Sequence, residues 1–300
     1  MHGSRTTRRT PRTHRSRRGL AALVAAGAAL TVVGVAAPAP ASTGSNTVGN
    51  AKVVCTSNRP GLAPTLSRDI ADALQGRQGT TALALYDHPS KTRCEFQAST
   101  SFDSASVVKV TILGTLLRQA EEAHRALTPH EVALTTAMIT KSDNASTNAL
   151  WRQVGRAEVQ RFLDLAGMRD TVPGEGVAWG LTQITAADQL ALMRLLSTDN
   201  AVLSPASRAY ALDLMEKVAP DQRWGVPAGA PASATAHLKN GWLSRSEQGW
   251  RVHSVGSFDG KGNDYAMAVL SSGSDTMSDG VATVEAAAKV INRDLAGGHR

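Results

Sequence analysis

A chain of 300 residues with 42% hydrophobic and 19% charged residues carries enough apolar material for a packed core, and its composition excludes a disordered or fibrous protein. The formal net charge of +7 is concentrated at one end: seven arginines lie within the first 18 residues and no acidic residue precedes Asp69. Without residues 1–41 the basic and acidic residues balance, so the positive charge that phosphate binding needs is missing and no nucleic-acid partner is expected.

The arginine-rich start leads into an uncharged run from Gly19 to Ala41, "GLAALVAAGAALTVVGVAAPAPA". A basic beginning, an apolar stretch and a small-residue exit at Ala39-Pro40-Ala41 are the layout of a secretory signal. The run approaches the length of a membrane span, but its Ala/Gly richness and Pro-containing exit favour cleavage. Residues 1–41 are therefore expected to be removed, leaving a secreted, extracellular protein without a membrane span. Ser16-Arg17-Arg18-Gly19-Leu20 also resembles a twin-arginine signal, which would mean export after folding. Cys55 and Cys94 are the two cysteines of the chain, and in an exported protein such a pair is expected to form a disulfide. Cys55 stands too far beyond the apolar run to carry a lipid anchor. The eight histidines are scattered without metal-ligand spacing, so neither a metal nor another cofactor is expected.

Residues 42–51, "STGSNTVGNA", are Ser/Gly/Asn-rich and read as a flexible start of the mature chain. "LSRDIADALQGR" (66–77) has apolar residues at helical spacing with a closing glycine. "TTALALYDH" and "TRCEFQAST" read as two strands joined by the turn "PSK". From Ser106 to Arg125, Val107, Val110, Leu113 and Leu117 recur at helical spacing. Further helical segments follow around 128–140, 145–155, 157–166, 185–197 and 205–218. The chain then returns to strands in "SATAHLKNGW", "GWRVHSVGSF" and "YAMAVLSSG", and ends in an amphipathic helix over about 278–295. Strands at both ends and helices between them predict an α/β layer with an all-helical region inserted.

Three short stretches carry the chemistry. Ser106 and Lys109 stand one turn apart at the start of a helix, on one face. A desolvated lysine amine there can accept the serine's proton, and the helix N-terminus favours the negative charge that results. "KSDNAS" places Ser142-Asp143-Asn144 just before a helix, where all three residue types also serve as caps. "HLKNGW" places Lys239-Asn240-Gly241 on a strand that runs into a glycine turn.

In this order the three stretches resemble the Ser-x-x-Lys, Ser-Asp-Asn and Lys-Thr-Gly signature of class A β-lactamases and penicillin-binding proteins, and the chain is similar to exported actinobacterial members of that superfamily. The resemblance extends from about residue 66 to 295. "RWGVPAG" (223–229) looks like the family segment upstream of the lysine-glycine strand, and Phe102 falls four residues before the nucleophile, as it often does there. The resemblance implies an antiparallel sheet of about five strands flanked by helices, with a helical subdomain over about 103–232 inserted in an α/β layer made of about 52–102 and 233–300. It also implies roles. Ser106 would be the acylated nucleophile, Lys109 its proton acceptor and Ser142 the donor to the leaving nitrogen. Asn144 would hold Lys109 and the substrate amide, and Lys239 would supply charge for a substrate carboxylate. The backbone N–H groups of Ser106 and of Trp242, the residue after Gly241, would form the oxyanion hole.

Four departures stand against that pattern. Asn240 replaces the hydroxyl residue of the third motif, which alters carboxylate recognition. Trp242 puts an indole where the family has a small residue, narrowing the cleft. Ser106 and Ser142 are 36 residues apart, a shorter interval than in class A enzymes. Most consequentially, the region "GMRDTVPGEGVAWGLTQITAAD" (167–188) lacks the Glu-x-x-Leu-Asn motif whose glutamate activates the deacylating water in class A enzymes. Its only glutamate is Glu175, which reads as an exposed turn residue. Arg223 and Arg251 could assist in anion binding but read as structural arginines, and His237, on the face of Lys239, reads as a packed neighbour. The expectation is a secreted, monomeric serine hydrolase that opens β-lactam rings through an acyl-enzyme on Ser106. The alternatives are a D,D-peptidase or esterase/amidase acting on an acyl-peptide or another acyl substrate, and a binding protein without turnover.

Overall fold

The computed structural model describes residues 41–297; apart from Ala41, the expected signal lies outside them. In chain order the first part contains β1 (Ser42–Val48), β2 (Ala51–Ser57), α1 (Leu62–Leu74), β3 (Thr80–Asp87), β4 (Thr92–Phe96) and the two-residue β5 (Phe102–Asp103). The helical part follows as α2 (Val108–Glu122), α3 (Pro129–Thr140), α4 (Asn144–Val154), α5 (Arg156–Ala166), the short β6 (Gln183–Ile184), α6 (Ala186–Ser197) and α7 (Pro205–Glu216). The chain returns through β7 (Thr235–Arg245), β8 (Gly249–Asp259) and β9 (Tyr265–Ser274) to α8 (Met277–Ala296).

Seven strands form one antiparallel sheet in the order β1-β2-β4-β3-β9-β8-β7. Strands from the two ends of the chain meet at its centre, where Ala84 of β3 pairs with Ala268 of β9. Along these two strands successive side chains serve opposite faces. Leu83, Leu85, Met267 and Val269 pack in a core with α1 and α8. Ala82, Ala84, Ala266 and Ala268 pack in a second core with α2 and α6. Both faces are thus covered, which is why these strands read as continuous apolar runs instead of alternating ones.

The sheet has two strands more than the five expected, β1 and β2, which residues 42–57 form as a hairpin at its edge. β1 pairs with β2 from Ser42↔Ser57 to Val48↔Ala51, leaving Gly49 and Asn50 as a two-residue turn with Gly49 at φ 56°. A Gly-Asn turn of that length is a hairpin signal, and it outweighs the polar composition of the segment. The predicted disulfide is present between Cys55 and Cys94, which are paired residues of β2 and β4.

The helix predicted from Ser106 begins later. Ala105–Val107 form a 3-10 turn, and α2 proper starts at Val108. Every residue from Val108 to Leu117 is buried, so α2 is surrounded by protein and its apolar stripe is only part of its packed surface. Lys109 lies within that buried stretch.

Candidate active site

Three elements converge on Lys109. Its Nζ donates to the Ser142 carbonyl (2.6 Å), to Ser142 Oγ (2.9 Å) and to Asn144 Oδ1 (2.8 Å). Lys239, reaching across from β7, donates to the same Ser142 Oγ (3.1 Å) and to the Asn240 carbonyl (2.8 Å). Both lysines have no solvent exposure. Burial costs an ammonium its hydration, and it brings the Lys109 pKa down to about 7 against an opposing pull from Asp143. Lys239 is pushed down for the same reason and further by the neighbouring Lys109. Two amines sharing one hydroxyl cannot both hold a proton cheaply, so the pair titrates as a unit.

The Ser142-Asp143-Asn144 stretch is a helix cap and a polar site at once. Asp143 caps α4, with its Oδ1 accepting from Ser146 N–H at 2.6 Å. That leaves Ser142 and Asn144, on either side, for Lys109. Ser142 has a left-handed backbone (φ 57°), as does Ala105 (φ 47°) just before Ser106. For residues other than glycine this conformation costs about 1–3 kcal/mol, and it persists where the surroundings over-determine it.

Ser106 lies half-buried in the 3-10 turn. Its hydroxyl makes no hydrogen bond to another described residue, and Lys109 spends its three bonds on Ser142 and Asn144. The expected direct contact between Ser106 and Lys109 is therefore replaced by an amine held one turn away on a different set of acceptors. Gly241 brings β7 against this turn: a Cβ at that position would lie 2.8 Å from Ser106 N and 2.9 Å from Val107 N. Only glycine allows so close an approach of the strand to the backbone at Ser106. The next residue, Trp242, is half-buried, with its ring 6.0 Å from that of Trp224.

The segment between α5 and α6 forms the other wall. β6 pairs with β5 through Phe102↔Ile184 and Asp103↔Gln183, and Ser104 N–H donates to the Thr182 carbonyl at 2.8 Å. α4 holds the segment from its other side, where Trp151 Nε1 donates to the Gly176 carbonyl (2.7 Å) and Trp179 Nε1 to Asn148 Oδ1 (2.8 Å). This places the Trp179 ring 5.0 Å from Lys109 Nζ, a cation–π distance. Glu175 is exposed and its side chain bonds neither Lys109 nor Ser106. Trp179 is the site residue that sequence reasoning missed. Its signal was faint, a lone tryptophan between small residues in a segment without periodicity.

The remaining candidates are structural ties. Arg223 donates to the carbonyls of Glu216 and Ala236. Arg251 pairs with Asp103 at 3.3 Å. His237 bridges the Leu212 carbonyl (2.9 Å) and Asp259 (3.1 Å). His253, fully buried between Asp103 O and Ser271 N, is kept neutral because desolvation brings its pKa to about 4.

Comparison with known proteins agrees with this architecture. The family described as "Beta-lactamase enzyme family" matches residues 65–135 and 129–295. Among curated proteins, "Putative lipoprotein LppW" of Mycobacterium tuberculosis is 26% identical over 204 residues, spanning 65% of this chain and 64% of its own length. Among solved structures, PBP-A is similar with a TM-score of 0.68 and 20% identity over 77% of this chain and 96% of its own. A beta-lactamase from Sphaerobacter thermophilus gives 0.67 and 19% over 76% and 97%. A class A beta-lactamase representative from Bacteroides cellulosilyticus gives 0.69 and 16% over 80% and 100%. At these identities the structural likenesses are likenesses of fold.

Proposed function

Since the chain belongs to the beta-lactamase enzyme family, we propose that it is an exported serine hydrolase that forms an acyl-enzyme on Ser106, with β-lactam ring opening as its reaction. The carrying observation is the Lys109–Ser142–Lys239 arrangement. An amine whose pKa is near 7 is half unprotonated at neutral pH, the condition a general base requires. In the proposed first step, Ser106 Oγ bonds to the substrate carbonyl carbon and its proton passes to Lys109. The C–N bond then breaks, Ser142 gives its hydroxyl proton to the leaving nitrogen, and Lys109 returns a proton to Ser142. Ser142 suits that relay because its oxygen can accept from either lysine while its own O–H remains free to donate. Gly241 brings β7 to the nucleophile, where the backbone N–H groups of Ser106 and Trp242 would stabilise the developing oxyanion.

The second step, attack of water on the acyl-enzyme, has weaker support. Trp179 faces Lys109 in the segment where class A enzymes carry their water-activating glutamate, and an indole cannot take a proton from water. This favours a second reading, a D,D-peptidase or esterase whose acyl-enzyme is long-lived toward β-lactams. Export is proposed from the arginine-rich, apolar start of the chain and from the name of the curated relative, a lipoprotein. Cys55 cannot bear the lipid here, since its thiol is committed to Cys94.

Stopped-flow mixing with a chromogenic or fluorescent penicillin, followed by mass measurement, tests the proposal. A stoichiometric burst, an adduct on Ser106 and a slow steady state are expected. A missing general base costs roughly 10²–10⁴ in rate, or about 3–5.5 kcal/mol of barrier, so deacylation should lag acylation by that order. An adduct that never turns over would support the peptidase reading. Absence of both adduct and hydrolysis would refute the enzyme assignment.

A further inference from the structure

In a cleft built to anchor an anionic substrate, at least one cation or hydroxyl donor must be free to meet the carboxylate. Lys239 was the expected anchor, yet it has no solvent exposure and its amine is spent on Ser142 Oγ and the Asn240 carbonyl. Asn240 stands where the third motif would carry a hydroxyl. Its Nδ2 has two protons, and they go to the carbonyls of Gln222 and Trp224, each at 2.8 Å. These two acceptors fix the orientation of the amide. What remains is Oδ1, which is buried without a partner. An amide oxygen is an acceptor only, so it can receive an N–H or O–H but offers nothing to a carboxylate.

The guanidinium groups of Arg223, Arg245 and Arg251 also have protein partners. Arg245 and Arg251 both face Asp103, at 3.6 and 3.3 Å, and Arg223 is held on backbone carbonyls. Lys141, beside Ser142, is exposed, and a solvated flexible charge of that kind contributes little to discrimination. Val177 and Leu181, flanking Trp179, are 68% and 38% exposed, although large apolar side chains are usually covered.

We infer that this cleft gives a carboxylate next to the scissile bond no advantage, so that neutral acyl donors react with Ser106 at least as fast as acidic β-lactams, and that Asn240 sets this preference. The inference rests on the acyl-enzyme reading of Ser106 and specifies its substrate class. A carboxylate placed beside β7 would lose its water and find a committed amide in return, whereas a neutral group loses little. Substrates lacking the charge are therefore acylated at least as fast as their acidic counterparts.

Matched pairs of acyl donors test this: benzylpenicillin against its methyl ester, and an acyclic thioester with and without a carboxylate on the leaving group. The second-order constant for modification of Ser106 is read by mass. The expected acid-to-ester ratio is one or lower in the wild type. In Asn240→Thr, which supplies a hydroxyl, the ratio should rise tenfold or more. Because Asn240 also ties down Gln222 and Trp224, Asn240→Ser serves as a second variant, and the wild-type ratio stands as a test without either. A wild-type ratio above one in both pairs would overturn the inference, as would an unchanged ratio in a folded Asn240→Thr protein. If the thioesters modify Ser106 and neither penicillin does, the β-lactam reading fails while the preference is still measured on the thioesters. If no reagent of either charge modifies Ser106, both readings fall together.

Discussion

On the α4 and β7 side of the cleft, a lysine amine, a serine hydroxyl, an asparagine oxygen and a second lysine are linked by hydrogen bonds of 2.8–3.1 Å. The facing wall, between Gly167 and Asp188, presents an indole to the same amine, while its carbonyls at Trp179 and Gly180 accept from the buried Ser104 hydroxyl. The first wall can move protons, because each of its members can donate or accept. The second can shape the cleft and exclude water but has no group that titrates against Lys109. In a two-step hydrolysis these are separable tasks: making the acyl-enzyme needs a proton route from the nucleophile to the leaving group, and breaking it needs a base for water. The difference between the walls predicts a protein better equipped for the first step than for the second.

The largest test of this contrast is Ser106→Ala. It should remove the covalent adduct altogether, as read by intact mass after exposure to a penicillin or thioester. An adduct recovered on Ser142 or elsewhere would mean that the polar wall serves another nucleophile.

Lys109→Met comes next, with an expected fall in acylation at saturating substrate of about 10²–10⁴. In the wild type, acylation should decline about tenfold per pH unit below about 7, where the Lys109 amine becomes protonated. Stability follows with a defined sign. Lys109 titrates near 7 in the folded protein and at its ordinary value of 10.5 when unfolded. Between those values the unfolded chain holds a proton that the folded one lacks, so stability rises with pH through this window and is lost as pH falls through about 7. Lys109→Met should flatten that rise and raise Tm at pH 6, checked by thermal melts from pH 6 to 9. A variant that acylates normally would show that the proton travels by another route.

The smallest effect sharpens the picture of the other wall. Glu175→Gln should leave the steady-state rate unchanged within about twofold, because an exposed turn carboxylate without contacts changes little when altered. A tenfold loss would show that the turn reaches the acyl-enzyme in solution.

Much of this was legible in advance because local rules and tertiary packing agree. The β3 and β9 strands, the helices from α3 to α8, the disulfide pair and the residues gathered around Lys109 all follow from spacing, turn residues and motif order. Where reading failed, long-range packing had decided the outcome. Residues 42–51 have the composition of a flexible tail but gain a strand, because Gly49-Asn50 turns them back onto β2. Ser106 lies in a 3-10 turn instead of opening α2, where β7 packs against it at Gly241. Trp179 gave no periodic signal, because its place is set by bonds from α4 to a loop.

The sequence by itself determined the chemistry on offer: a serine one turn from a lysine, a cap-like Ser-Asp-Asn stretch, a Lys-Asn-Gly strand, and no glutamate motif in the region from 167 to 188. Only the tertiary structure decided what those groups can do. Burial is a property of the surroundings, and it lowers the pKa of both lysines. The commitment of the Asn240 amide to Gln222 and Trp224, and the approach of Trp179 to Lys109, join residues far apart in the chain. A sequence lists donors and acceptors, but which are already taken and which still face the cleft depends on packing in three dimensions.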